Sequence, residues 1–238
     1  MQIDITDIIG AFPDFRVAVV AVDGLDIAAG RSTELARIIA DREAACRTAW
    51  WKTELSEIPG IAAWRRAYRA FGIKKTSYRS SVERLVKNVL AGRGLPEINA
   101  FVDAYNAVSL AHVMPLGADD RDMIVGDIAF RYARIGDDFV DMAGGGVDGE
   151  PGEVDPPKEG EVVYADAEKV LCRRWNWRQD MRSLVTPLTR RAVMTVQTNG
   201  VGDLDAAVAD LTAMVGRFAG GTSTVVIADR RQPIAELE

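Results

Sequence analysis

The sequence predicts an α+β fold with a mixed or antiparallel sheet. Three observations carry this. Residues 32–111 hold four stretches with apolar positions at helical spacing. From residue 123 the pattern changes to the two-residue period of strands. One amphipathic helix then returns at residues 203–218, ahead of a last strand. Helices first and strands later is the order of an α+β chain.

Residues 15–22, Phe-Arg-Val-Ala-Val-Val-Ala-Val, are short, apolar and β-branched, and predict a buried strand that Gly24 ends. Ser32 is an N-cap for a helix over residues 32–50, with Leu35, Ile38 and Ile39, then Arg42, Cys46 and Trp50 at spacings of four. Pro59 opens a second helix that carries Ile61, Trp64, Tyr68 and Phe71 on one face and stops at Gly72. Ser80 or Ser81 caps a third helix that runs to Leu90, and residues 92–96 form a turn. Asn99 caps a fourth helix over residues 100–111. Residues 123–133 alternate, with Ile124, Ile128, Phe130 and Tyr132 on one face and Asp127 and Arg131 on the other. Residues 139–142 predict a short strand, and residues 143–160, rich in Gly, Pro and acid, a long connection. Strands follow at 161–165, 170–175 and 192–197. Asp203 caps the last helix, Gly220-Gly221 ends it, and residues 222–227 are the final strand.

A chain of 238 residues, 48% of them apolar, can bury a sizeable core as one large domain or two intimate halves. No apolar run approaches the roughly 20 residues of a membrane span. The N-terminus lacks the basic and apolar regions of a signal peptide, so a cytoplasmic protein with no membrane partner is expected. Cys46 and Cys172 lie far apart and are expected as packed free thiols. The net charge of −6 excludes a whole-protein field for nucleic acid, although local basic clusters can still bind phosphates.

His112, the single histidine, follows an apolar helix, where it is either a catalytic base or a partner of the helix C-terminus. No HExxH and no cysteine pair specifies a metal, and neither metal nor cofactor is expected. Gly144-Gly145-Gly146 lacks the Lys-Ser/Thr of a phosphate loop and predicts a hairpin tip. Asp119-Asp120 predicts a solvated turn, with a metal-binding or proton-sharing pair as the alternative. The most unusual string is Cys172-Arg173-Arg174-Trp175-Asn176-Trp177-Arg178-Gln179-Asp180. Strand alternation places Arg173, Trp175 and Trp177 on one side and Arg174, Asn176 and Arg178 on the other. Such a mixture suits stacking on bases and pairing with phosphates, or else a structural cation–π ladder. Lys74-Lys75 and Arg190-Arg191 add local positive charge.

Several ordered motifs resemble the B3/B4 domain, which hydrolyses misacylated tRNA within the β subunit of bacterial phenylalanyl-tRNA synthetase. They are Lys75-Thr76-Ser77-Tyr78-Arg79-Ser80-Ser81-Val82-Glu83, the stretch from Gly94-Leu95-Pro96-Glu97 to Tyr105-Asn106-Ala107-Val108-Ser109-Leu110, Pro115-Leu116-Gly117-Ala118-Asp119-Asp120, and Gly126-Asp127-Ile128. Val163-Tyr164-Ala165-Asp166 and the Arg/Trp string are similar to free-standing members. The resemblance implies a single B3/B4-like domain over residues 1–238, with a motif-bearing core at about 76–198. It also implies a mixed or antiparallel sheet core with flanking helices. By the same resemblance, the protein is a trans-editing aminoacyl-tRNA deacylase whose partner is the aminoacylated 3′ end of tRNA; the sequence does not fix the oligomeric state, and a monomer is the expectation. Asn106 matches the asparagine of the family's editing site, whereas Gly117 stands where the synthetase has a histidine. That departure, with Glu97, Asp127 and Asp180 expected near the pocket, favours a cationic guanidino-type side chain over tyrosine, with canavanyl-tRNA(Arg) as the favoured substrate. The alternatives are another misacylated tRNA, such as Tyr-tRNA(Phe), and a tRNA-binding module without chemistry. The expected catalytic residues are Asn106, Ser109 and the backbone N–H groups of a Gly117 loop. Ser80, Glu97, Tyr105, Asp127, Asn176, Gln179 and Asp180 are expected to bind the substrate, and Arg173, Arg174, Trp177 and Arg178 the tRNA.

Overall fold

The computed structural model describes residues 1–74, 77–142 and 156–237. Lys75, Thr76 and the Gly144-Gly145-Gly146 segment lie outside the described residues. The chain runs β1 (Gln2–Asp4), α1 (Thr6–Ile9), β2 (Phe15–Leu25), α2 (Thr33–Trp50), α3 (Pro59–Ala70), α4 (Ser81–Leu90) and α5 (Ala100–His112). It continues through β3 (Leu116–Asp120), β4 (Ile128–Tyr132), β5 (Val162–Ala165), β6 (Val170–Arg173) and β7 (Arg178–Gln179). It ends with β8 (Arg191–Asn199), α6 (Leu204–Phe218), β9 (Gly220–Ala228) and β10 (Ile234–Glu236). The α+β expectation holds, and three of the predicted caps are in place, whereas neither Ser80 nor Ser81 makes a capping bond at α4. Ser32 accepts from the Leu35 amide, Asn99 from Val102 and Asp203 from Ala206.

Two sheets form. One is four-stranded in the order β3-β8-β2-β9, the other six-stranded in the order β10-β1-β4-β5-β6-β7. Every pairing is antiparallel except β1 with β4, so the second sheet is mixed. Strand β2 is apolar without alternation because it is covered on both faces. Its Ala18, Val20 and Val22 pack under α2, α4, α5 and α6. Its Val17, Val19 and Ala21 pack against Phe130, Tyr164 and Leu171 of the other sheet and Trp64 of α3. The molecule is thus a helical layer, a four-stranded sheet and a six-stranded sheet.

Four expectations need correction. Strand β2 runs through Gly24 to Leu25, because Gly24 takes a φ of 80° without leaving the sheet. Residues 116–120 are not a solvated turn but edge strand β3, and Asp119 is 4% exposed. Residues 139–142 form no strand; an isolated bridge joins Asp141 to Asp180. The strand predicted over 170–175 stops at Arg173, since Arg174 and Trp175 adopt φ of 49° and 66°. Left-handed backbone at two bulky residues costs on the order of 1 kcal/mol each. The burial of Trp175 offsets it. Its indole meets Phe12, Phe15 and Trp64 edge-on, with ring centroids 4.7, 4.9 and 5.2 Å away. Such contacts add about 0.5–1.5 kcal/mol per pair beyond the area buried.

Candidate functional site

Helices α4 and α5, edge strand β3 and the β6–β7 hairpin enclose a cleft of about 250 Å³. Arg84, Leu85, Val102, Tyr105 and Asn106 form the helical wall, and Leu116–Asp119 the strand wall. Tyr164, Cys172, Trp177, Arg178 and Gln179 form the third wall. Asn176, Thr195 and Gln197 also line it.

The polar lining is tied together. Tyr68 Oη donates to Asn176 Oδ1 at 2.9 Å, Asn176 Nδ2 to Gln197 Oε1 at 3.0 Å, and Gln197 Nε2 to Thr195 Oγ1 at 3.0 Å. A buried amide chain of this kind fixes side-chain orientation, since each group left unpaired would cost about 1–3 kcal/mol. Thr195 and Gln197 alternate in β8 with Met194 and Val196, which face the helical core.

Asp119 is the dominant electrostatic feature. Its Oδ1 accepts from Gln179 Nε2 at 2.7 Å and from Ser183 Oγ at 2.6 Å. Burial pushes its pKa up to about 7, against the lowering effect of those two hydrogen bonds and of Lys169. No cation forms an ion pair with it among the described residues. Arg84 and Arg178 supply positive charge to the same lining. Burial and the nearby Arg178 guanidinium lower the pKa of Arg84. Arg178 pairs with Asp141 and lies over the Trp177 ring at 4.5 Å.

Of the residues singled out in the sequence, the cleft gathers Tyr105, Asn106, Gly117, Asn176, Gln179, Trp177 and Arg178. The others fall elsewhere. Ser109 is buried and donates to Met114 O at 2.6 Å. Glu97 is exposed and outside the cleft. Asp127 is exposed and accepts from the Gln2 amide. Asp180 is fully buried, accepting from the Val140 amide and pairing with Arg182 at 2.6 Å. Ser80 occupies the N-cap position of α4 without a capping bond and lines a separate concavity. Arg173 and Arg174, expected on tRNA, are 0% and 3% exposed and share Glu161 at 2.9 and 3.4 Å. The reason is the turn at residues 174–177, which breaks the predicted alternation. His112 is not in the cleft: its Nε2 lies 3.0 Å from Asp210, which Arg42 also pairs at 2.7 Å. Those two partners outweigh burial and hold the Asp210 pKa at about 2. Cys46 is buried, and Cys172, half-buried, lines the cleft. Both are free thiols.

The sequence matches the family described as B3/4 domain over residues 63–201, more than half of the chain. The chain belongs to the B3/4 domain family. The matched span of this B3/4 domain contains every element that lines the cleft. Over 87 residues it is 29% identical to the phenylalanine–tRNA ligase β subunit of Mycoplasma genitalium, a match covering 37% of this chain and 10% of that protein. It also resembles an N-terminal fragment of the phenylalanyl-tRNA synthetase β subunit from Pyrococcus horikoshii, with a TM-score of 0.46 and 11% identity. That match covers 94% of this chain and 49% of the solved one. The chain therefore spans a tenth of one relative and about half of the other.

Gly117, expected to offer its backbone from a loop, is not in a loop. It pairs with Thr195 across β3 and β8. Pro115 O accepts from the Gln197 amide, and antiparallel alternation then directs the Gly117 N–H into the ladder. The outward-facing backbone belongs to Leu116 and Ala118, and Ala118 O accepts from Gln179 Nε2. A Cβ at Gly117 would meet open space. Gly117→Ala is accordingly expected to fold, with stability unchanged or up to about 1 kcal/mol higher by urea denaturation. A loss larger than that would show that the strand needs glycine.

Proposed function

We propose that this chain hydrolyses, in trans, the ester between an amino acid and the terminal ribose of tRNA, with canavanyl-tRNA(Arg) as the favoured substrate. The observation that carries this reading is a buried carboxyl, Asp119, on the wall of a B3/4 cleft, with no cation paired to it among the described residues. A guanidino side chain supplies that cation and matches a carboxylate with two parallel N–H donors. Glu97, Asp127 and Asp180, the acids first considered for this role, are outside the cleft, and Asp119 takes their place.

The chemistry runs through a positioned water. Its oxygen bonds to the ester carbonyl carbon, and the carbon–ribose oxygen bond breaks. The water's proton passes by way of the vicinal ribose hydroxyl to the departing oxygen, releasing amino acid and tRNA. Asn106 holds the carbonyl or the water, and the outward Ala118 N–H replaces the Gly117 N–H as the backbone donor. Positioning and oxyanion stabilisation of this kind contribute several kcal/mol without an acid–base pair. Asn106→Ala is expected to lower single-turnover release at least tenfold while the denaturation midpoint stays in place. Unchanged release would remove Asn106 from the mechanism.

The deciding experiment is amino-acid release from a panel of tRNAs carrying canavanine, arginine, tyrosine, serine and threonine, at catalytic protein concentration. Release from a neutral ester in preference to the guanidino ones would overturn the substrate. Saturable binding of charged tRNA with no release from any would make the chain a binding module.

A further inference from the structure

A second concavity, of about 90 Å³, lies between α3 and α4, on the other side of the α4 N-terminus from the cleft. Its lining carries Arg65, Arg69, Lys74 and Arg79 against a single acid, Glu83. Glu83 is 1% exposed and is taken by Arg65, at 2.6 Å, and by Arg79. Arg69 and Lys74 are exposed and form no ion pair among the described residues. Ser80, at the α4 N-cap, lines the same concavity at 2% exposure. Its hydroxyl makes no capping bond and has no hydrogen-bond partner among the described residues. Serine at this position ordinarily caps its own helix. Here a buried hydroxyl, a ten-residue helix N-terminus and the surplus cations Arg69 and Lys74 converge on a phosphate-sized space.

The groove adjoins the cleft. Ser80 faces the groove while the next residue, Ser81, lines the cleft. Tyr78 of the groove meets Trp177 of the cleft edge-on, with centroids 5.1 Å apart. The Arg174 guanidinium sits against both rings, at 3.8 and 4.3 Å. A strand whose 3′ end enters the cleft therefore passes an aromatic wall and reaches the groove. We infer that the α3–α4 groove holds a backbone phosphate of the tRNA upstream of its aminoacylated terminal nucleotide. The inference deepens the deacylase reading and rests on it for the choice of nucleic acid.

The test uses the full chain with Arg69→Ala and Lys74→Ala combined, both exposed and outside the cleft. Equilibrium binding of uncharged tRNA should weaken by about tenfold at low salt, with a salt dependence shallower by about one phosphate contact. For charged tRNA, KM should rise and kcat should hold. Hydrolysis of an aminoacyl-adenosine, which lacks the upstream phosphates, should be retained. Ser80→Ala should weaken tRNA binding by a few-fold without altering that short substrate. Wild-type affinity and salt slope in the double variant would overturn the inference, and so would an equal loss on aminoacyl-adenosine. Inorganic phosphate that competes with tRNA on the wild type but not on the double variant supports it. Phosphate bound in the groove while tRNA binding ignores the double substitution assigns the site to a free anion instead. Wild-type protein that binds tRNA but releases no amino acid fails the deacylase reading and leaves the binding arm to judge the groove.

Discussion

Glu161→Ala is expected to cost on the order of 3 kcal/mol of stability, read as a lower urea midpoint with an unchanged slope. Glu161 is 3% exposed and accepts from Arg173 Nε at 2.9 Å and Nη2 at 3.1 Å. Arg174 Nη2 lies 3.4 Å from the same carboxylate. Removing the acid takes that shared charge from two guanidinium groups that are out of water. The damage spreads because these residues lead into the left-handed turn that seats Trp175 in the aromatic cluster. Arg178→Ala, at the cleft mouth, makes the contrast. It should leave the midpoint nearly in place and weaken tRNA binding, as for a half-exposed cation. If Glu161→Ala left stability unchanged and selectively reduced tRNA affinity, the Arg173–Glu161 pair would belong to the nucleic-acid surface after all.

The helices were legible because their signals are local. Ser32, Asn99 and Asp203 are capping residues, and each does accept a backbone amide at the start of its helix. The central strand β2 was legible because an unbroken apolar run has few other uses. The site was half legible. Asn106, Gln179, Trp177 and Arg178 were picked out and do meet in one cleft. Arg173 and Arg174 were misplaced because nothing local announces a left-handed turn at Arg-Trp, a conformation held by tertiary packing of the indole. Thr195 and Gln197 could have been found as the polar positions alternating with Met194 and Val196. Asp119 left almost no trace. Its strand is five residues long, and Asp119-Asp120 after Gly-Ala looks like surface. What buries it is the distant pairing of β3 with β8 and the arrival of Gln179 and Ser183, which no window of sequence contains.

Asp119→Asn is expected to change both stability and selectivity, each with a sign fixed by the raised pKa. In the fold the carboxyl titrates at about 7, against about 3.8 in the unfolded chain. Between those values the native state keeps a proton that the unfolded state releases. The contribution of this group is therefore fully present below about pH 4 and is lost as pH rises to about 7. A shift of that size is worth on the order of 4 kcal/mol. Asparagine preserves an acceptor for Gln179 and Ser183 and carries no charge to desolvate. The variant should be more stable than wild type at pH 8, with a flatter dependence between pH 4 and 7, measured by urea denaturation at each pH. A bound guanidinium reverses the balance, since it favours the ionised carboxyl. Release of a guanidino amino acid from tRNA should accordingly rise as pH increases through about 7 in the wild type, at subsaturating substrate. In Asp119→Asn that rise should disappear, and preference for the guanidino ester over a neutral ester should fall at least tenfold. A variant that gains stability and still prefers the guanidino ester would leave Asp119 as a buried structural acid and remove the basis for cationic specificity. Lost preference with release of the neutral ester intact would fix Asp119 as the residue that selects the side chain.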